Sequence, residues 1–205
     1  MDPQEAVSAA LLAPLGYAEE PVLERLHARL AAAAERSGDL DITYRTIDTP
    51  VGTLLLAATA QGLLRVAYER ENHDHVLEKL SARISPRILK SAHRLEPVVR
   101  ELEEYFSGTR SRFDLPLDLS LSSGYRREVL AHLPRIGYGH TESYAQVALA
   151  TGNPKAVRAV GTACATNPLP VVVPCHRVVR SDGSAGGYVG GPDAKAALLM
   201  LERAV

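Results

Sequence analysis

With 205 residues, 46% of them hydrophobic and 23% charged, the chain has room for one large domain or two small ones around a sizeable core. Its apolar runs fall short of a membrane span, the acidic start Met1-Asp2-Pro3-Gln4-Glu5 is unlike a basic export signal, and two cysteines are too few for a disulfide framework or a cysteine-rich zinc site. A reduced, cytoplasmic protein with no membrane partner is expected, and the net charge of −1 by itself argues against nucleic acid.

That total hides an asymmetry. From Asp118 onward nine Lys or Arg stand against six Asp or Glu, a balance of +3, whereas the preceding residues carry 14 basic and 18 acidic side chains, a balance of −4. The C-terminal half can therefore meet an anionic partner.

Residues 1–40 read as a helical extension. Leu23, Leu26 and Leu30 recur at helical spacing, alanines fill 31–34, and Ser37-Gly38 closes the pattern. Such a helix either packs or faces solvent, or it binds a partner. From Asp41 the pattern turns strand-like. Ile42 to Ile47, Thr53 to Thr59 and Leu63 to Tyr68 are rich in branched and aromatic residues and are separated by turn signals, which predicts a small antiparallel sheet. Helices are expected over His73 to Arg83 and Glu96 to Phe106. His73, His75 and His93 lack cysteine or carboxylate partners at ligand spacing, so they are read as surface histidines and no metal is expected. The proline-interrupted stretch Phe113 to Leu119 reads as an extended linker, which divides the chain into 1–40, 41–117 and 118–205.

A helix around Gly124 to His132 opens the C-terminal part. Ser143 can cap a helix through Ala150; Thr151-Gly152-Asn153-Pro154 stops it, and a second helix is expected over Lys155 to Ala165. Two short helices across a glycine-containing turn make a helix-turn-helix candidate. The small residues Ala156, Ala159 and Gly161 around Arg158 suit close approach to a partner surface. They equally suit a core helix with one exposed arginine. The apolar run Leu169 to Val173 then predicts a strand that delivers Cys175 and His176 to the edge of the glycine-dense loop Gly183 to Gly191. A thiol reacts as thiolate, and a neighbouring base is one way to generate it at neutral pH. A bare Cys-His pair is weak evidence, because free cysteine commonly behaves as a small buried hydrophobe.

The surroundings of that pair are more specific. Pro174-Cys175-His176-Arg177-Val178, taken with Ser143-Tyr144, the run Gly152 to Gly161, Asn167-Pro168, the run Gly187 to Gly191, Lys195, Leu198-Leu199 and Glu202, resembles the O6-alkylguanine-DNA alkyltransferase family. The likeness reaches back through Glu104 to Gly108 and Thr49 to Gly52, and residues 1–40 lie outside it. The resemblance implies an α/β (α+β) fold: a ribonuclease-H-like domain with a small antiparallel sheet, followed by a mostly helical domain with a winged-helix-like helix-turn-helix. It implies single-turnover repair, in which the alkyl group of O6-alkylguanine, and by extension O4-alkylthymine, moves to Cys175. His176 would deprotonate the thiol through a water, Glu202 would orient His176, and Asn167 would brace the turn. Tyr144 and Arg158 would manage the flipped nucleotide, with Ala156, Ala159 and Gly161 against the minor groove of double-stranded DNA. Tyr188, Val189, Val178, Cys164 and Gly190 would line the guanine pocket. No cofactor is implied, and a monomer is expected. His140, Ala197 and Leu130 depart from the family's usual residues at places read as packing or surface. The competing readings are a non-catalytic lesion-binding or regulatory DNA module and, more remotely, a thiol hydrolase.

Overall fold

Ile42–Ile47 (β1), Leu54–Thr59 (β2) and Gly62–Tyr68 (β3) form successive antiparallel pairs in the computed structural model, which describes residues 15–203. The chain divides into two compact units between Asp41 and Ile42. In the first, the helix Leu15–Ser37 (α1) is closed by the backbone bond from Asp39 N–H to the Ala34 carbonyl, and Leu23, Leu26 and Leu30 are exposed. The helical reading of residues 1–14 lies outside the described residues.

In the second unit the sheet order is β3-β2-β1-β4, where β4 is Ile88–Lys90 and runs parallel to β1. The sheet is therefore mixed rather than wholly antiparallel. A parallel neighbour needs a crossover, and the helix His73–Arg83 (α2) supplies it. Strand alternation decides what each face buries. Leu54, Leu56 and Ala58 of β2 share a core with Val98, Val99, Leu102 and Tyr105 of the helix Glu96–Phe106 (α3). Leu55 and Ala57 face the other way, onto Val76 and Leu80 of α2. A register shift between Ala57 and Ala58 puts Leu63, Val66 and Tyr68 of β3 in the α3 core.

The expected linker is extended, but it is tied to the sheet. Leu63 N–H donates to the Pro116 carbonyl and Asp118 N–H to the Leu63 carbonyl, both at 2.9 Å. Asp118 is buried and accepts from Thr59 Oγ1 at 2.7 Å.

Gly124–His132 (α4), Tyr144–Ala150 (α5) and Val157–Ala165 (α6) follow, with α6 packed on both of the others. Ser143 and Gln146 form a reciprocal cap at the start of α5, which fixes the entry of the first helix. The second helix begins at Val157, two residues later than Lys155, because Ala156 N–H turns back to the Asn153 carbonyl. Glu142–Ser143 (β5) pairs in parallel with Val178–Val179 (β6), which links the start of α5 to the segment after Cys175. The helix Pro192–Arg203 (α7) ends the described chain. No helix among the described residues is long and apolar enough to cross a membrane.

Candidate active site

The stretch before Cys175 is a buried turn where a strand was expected. Leu169, Val171, Val172 and Val173 are buried, yet Val171 sits at φ +73, a left-handed conformation that a β-branched residue adopts only under constraint. Asn167 provides much of that constraint. It is 1% exposed; its Oδ1 accepts from Leu169 N–H at 2.9 Å and its Nδ2 donates to the Val173 carbonyl at 2.8 Å. The same Nδ2 lies 3.1 Å from Cys175 Sγ. One amide thus ties both ends of the turn to the sulfur.

Cys175 opens a single 3₁₀ turn, Cys175–Arg177, that points His176 and Arg177 inward. His176 Nε2 lies 2.8 Å from Glu202 Oε1, and its Nδ1, also buried, makes no hydrogen bond to a protein atom. Glu202 accepts in addition from Arg177 Nη2 at 2.8 Å, Arg177 Nε at 3.0 Å and Tyr105 Oη at 2.7 Å. Arg177 Nη1 also donates to the Ile136 carbonyl, and its guanidinium lies over the Tyr138 ring, 5.8 Å from the centroid.

These contacts set the charges. Burial pushes the Glu202 carboxyl upward, but hydrogen bonds from His176 and Arg177 outweigh it and hold the group at about 2. With Glu202 ionised, the imidazole proton belongs on Nε2, which leaves the Nδ1 lone pair as the basic site. Burial drives His176 below the ordinary imidazole value against the pull of Glu202, so the ring is neutral at neutral pH. Burial pushes the Cys175 thiol up to about 11, opposed by Asn167 and Lys195. The resting sulfur is a thiol, and it can react at neutral pH only if a base removes its proton.

Lys195 is fully buried and donates to the Val178 carbonyl at 2.6 Å. Burial lowers its pKa, while the two cysteine sulfurs pull the other way. Lys195, Arg177 and Tyr105 join the site without a role expected from sequence. For Lys195 a signal existed. Ala194, Lys195, Leu198 and Glu202 are the buried residues of α7, and charges at core-facing helical positions need partners. For Tyr105 there was none, because its partner lies 97 residues away.

Of the residues assigned to a pocket, Cys164 and Val178 are buried in the same core as Cys175. The Tyr188 ring stands perpendicular to His176 at 6.3 Å between centroids. A Cβ at Gly190 would lie 2.5 Å from the Tyr68 ring, so the loop backbone rests directly on that side chain. Val189 instead lines a cavity of about 610 Å³ with Arg65, Leu80, Arg126, Asn167 and Pro168, a cavity that Cys175 does not line. Arg158 and Ala159 are exposed on α6, Ala156 and Gly161 are partly exposed, and Val160, Ala163 and Cys164 form its buried face. Tyr144, half-buried at the start of α5, touches the loop at Gly186. One helix thus carries small residues and a cation outward while its inner face reaches the thiol core.

The fold and these positions can be set beside known proteins. Residues 42–119 match the family described as 6-O-methylguanine DNA methyltransferase, ribonuclease-like domain, and residues 124–204 match 6-O-methylguanine DNA methyltransferase, DNA binding domain. A methylated-DNA–protein-cysteine methyltransferase of Mycolicibacterium paratuberculosis is 40% identical over 162 residues, covering 79% of this chain and 93% of the relative. The crystal structure of the Mycobacterium tuberculosis O6-methylguanine methyltransferase superposes with a TM-score of 0.70 at 35% identity, covering 80% of this chain and 93% of that one. A structure of the same mycobacterial protein in complex with DNA gives 0.68 at 35% identity, covering 79% and 93%.

Proposed function

Because the chain belongs to the 6-O-methylguanine DNA methyltransferase family, we propose that it repairs DNA by taking the alkyl group of O6-alkylguanine directly onto Cys175, once per molecule. The observation that carries this reading is the buried line from Glu202 through His176, whose Nδ1 is left unpartnered, beside a sulfur held by Asn167. It follows the nucleophile, base and orienting-group logic of a triad.

The His176 Nδ1 lone pair takes the thiol proton, directly or through one water. Sulfur then attacks the alkyl carbon in line with the bond to O6; a carbon–sulfur bond forms as the carbon–oxygen bond breaks. The electron pair leaves on guanine, which gains at N1 a proton equivalent to the one the thiol lost. No cofactor enters the balance. The product thioether is a poor leaving group, and Cys164 is a buried thiol whose pKa burial raises, so it supplies no thiolate to attack it. One transfer therefore consumes one molecule.

The reacting carbon lies inside a duplex, so the nucleotide must be extruded. Arg158 would take its place in the stack and Tyr144 would crowd the adjacent phosphate, while Ala156, Ala159 and Gly161 would approach the minor groove without bulk. Tyr188, Val178, Cys164 and Gly190 would receive the base, without Val189, which faces the neighbouring cavity. Exposure of Arg158 and Ala159 beside a buried Cys164 on one helix supports this division. A functional division at 117/118 gives the first part the scaffold and the second the acceptor and DNA face, and a monomer acting in the cytoplasm suffices. O4-alkylthymine would be taken by the same displacement.

Incubation with a duplex carrying O6-methylguanine should add one methyl group to the peptide containing Cys175, read by mass spectrometry. Loss of the lesion with that peptide unmodified, or tight lesion binding with no transfer, would overturn the reading in favour of another acceptor or a binding module.

A further inference from the structure

The loop 183–191 contains five glycines, and a segment of that composition holds one conformation only where something rigid fixes it. Tyr68 is such a fixture. It ends β3, is 3% exposed, and its backbone is held by the register with Leu54 and by the bond from its N–H to Glu71 Oε1 at 2.9 Å. Its hydroxyl lies 3.1 Å from the Tyr188 hydroxyl, and the two rings meet edge to face at 5.8 Å. Its ring also occupies the space next to Gly190. Tyr188 in turn faces His176. A side chain of the sheet thus reaches, through one hydroxyl pair, the loop residue that stands over the reacting groups.

We propose that Tyr68 is a positioning residue that determines specificity: by tethering Tyr188 and backing Gly190 it fixes the loop wall and limits the size of the O6 substituent that Cys175 can take. This rests on the alkyl-transfer reading above. A rigid wall favours a small substituent, because a methyl group needs no displacement of Tyr188, whereas a benzyl group does. The tether acts mainly on the discrimination between adducts, since neither hydroxyl belongs to the proton path from Cys175 to Glu202.

The test compares single-turnover transfer from duplexes carrying O6-methylguanine and O6-benzylguanine, with binding and transfer separated by varying the DNA concentration. Tyr68→Phe keeps the ring and removes the hydroxyl. It should raise the benzyl-to-methyl ratio of transfer rates about fivefold, the order expected for one net hydrogen bond, with the DNA affinity unchanged. Tyr188→Phe should shift the ratio similarly, and the double variant should add little to either single change. Tyr68→Leu, which also withdraws the ring from Gly190, should shift it further; if that variant is poorly folded, Tyr68→Phe decides. Equal scaling of both rates in Tyr68→Phe, an unchanged ratio, or strict additivity with Tyr188→Phe overturns the role of Tyr68 alone. Failure of the unmodified protein to transfer either group to Cys175 overturns the alkyl-transfer reading as well, so the two failures are distinct.

Discussion

The groups around Glu202 and the outer face of α6 are built in opposite ways. Glu202 has four polar neighbours: His176, Arg177 and Tyr105 hold its oxygens and Gly139 N–H adds a longer contact at 3.3 Å, while Arg177 is itself held by the Ile136 carbonyl. The α6 face carries alanines, a glycine and one arginine, and the Arg158 guanidinium makes no hydrogen bond or ion pair among the described residues. The first region is over-determined, which on the proposed mechanism confines one proton to one route. The second is nearly featureless, as would suit the proposed role of a surface that reads any sequence by groove width and backbone. Under the proposed function, chemistry demands precise neighbours and search demands few.

The contrast can be broken at its centre first. Cys175→Ala should abolish alkyl transfer while leaving duplex binding intact, measured by mass spectrometry and by mobility shift. Glu202→Gln comes next. It leaves Arg177 buried without its counter-charge, which costs about 3–5 kcal/mol of stability by urea unfolding, and transfer should fall by about a hundredfold with it. The pH dependence carries the same signature. The Glu202 carboxyl is held at about 2 in the fold against an ordinary 4.5, so its contribution is complete above 4.5 and is lost as pH falls toward 2. Glu202→Gln should flatten that acid limb. Transfer itself should stay level through neutrality and drop only below the ordinary imidazole value, because His176 is held lower and must be neutral to accept the proton.

Arg158→Ala probes the other region. Repair of an O6-alkylguanine duplex should slow by about tenfold, whereas transfer from the free base O6-benzylguanine should be unchanged, since in the proposed mechanism only extrusion uses the arginine. An equal loss with the free base would place Arg158 in the chemistry and dissolve the contrast. The smallest effect is expected for Tyr105→Phe, which removes one hydroxyl from an ionised Glu202. A loss of about 2 kcal/mol in stability is expected from one bond to a charged group, with transfer reduced only severalfold because His176 and Arg177 remain.

Local pattern carried much of the fold into the sequence. The helices at 73–83, 96–106, 124–132 and 144–150 follow from apolar spacing, and those at 73–83 and 144–150 also from side-chain caps. Two failures have physical causes. Ile88–Lys90 is three residues long and is a strand only because β1 lies beside it, a pairing that the crossover helix hides from local reading. Leu169 to Val173 has strand composition, but the side chain of the nearby Asn167 folds it into a turn through hydrogen bonds that apolar composition does not register. The pair His176–Glu202 came from resemblance. The tyrosines that lock the site, Tyr68 and Tyr105, approach from strand and helix over long sequence distances, and nothing in their own neighbourhoods announces it.

Both cysteines of this chain are shielded by the native fold, Cys175 at 2% exposure and Cys164 at 5%. A thiol reagent added to folded protein should therefore react slowly, whereas denatured chain should titrate two sulfhydryls before use and one afterwards. A colorimetric thiol assay in denaturant then reads the fraction of a preparation already discharged, with no DNA present. The sulfur count becomes a record of each molecule's history.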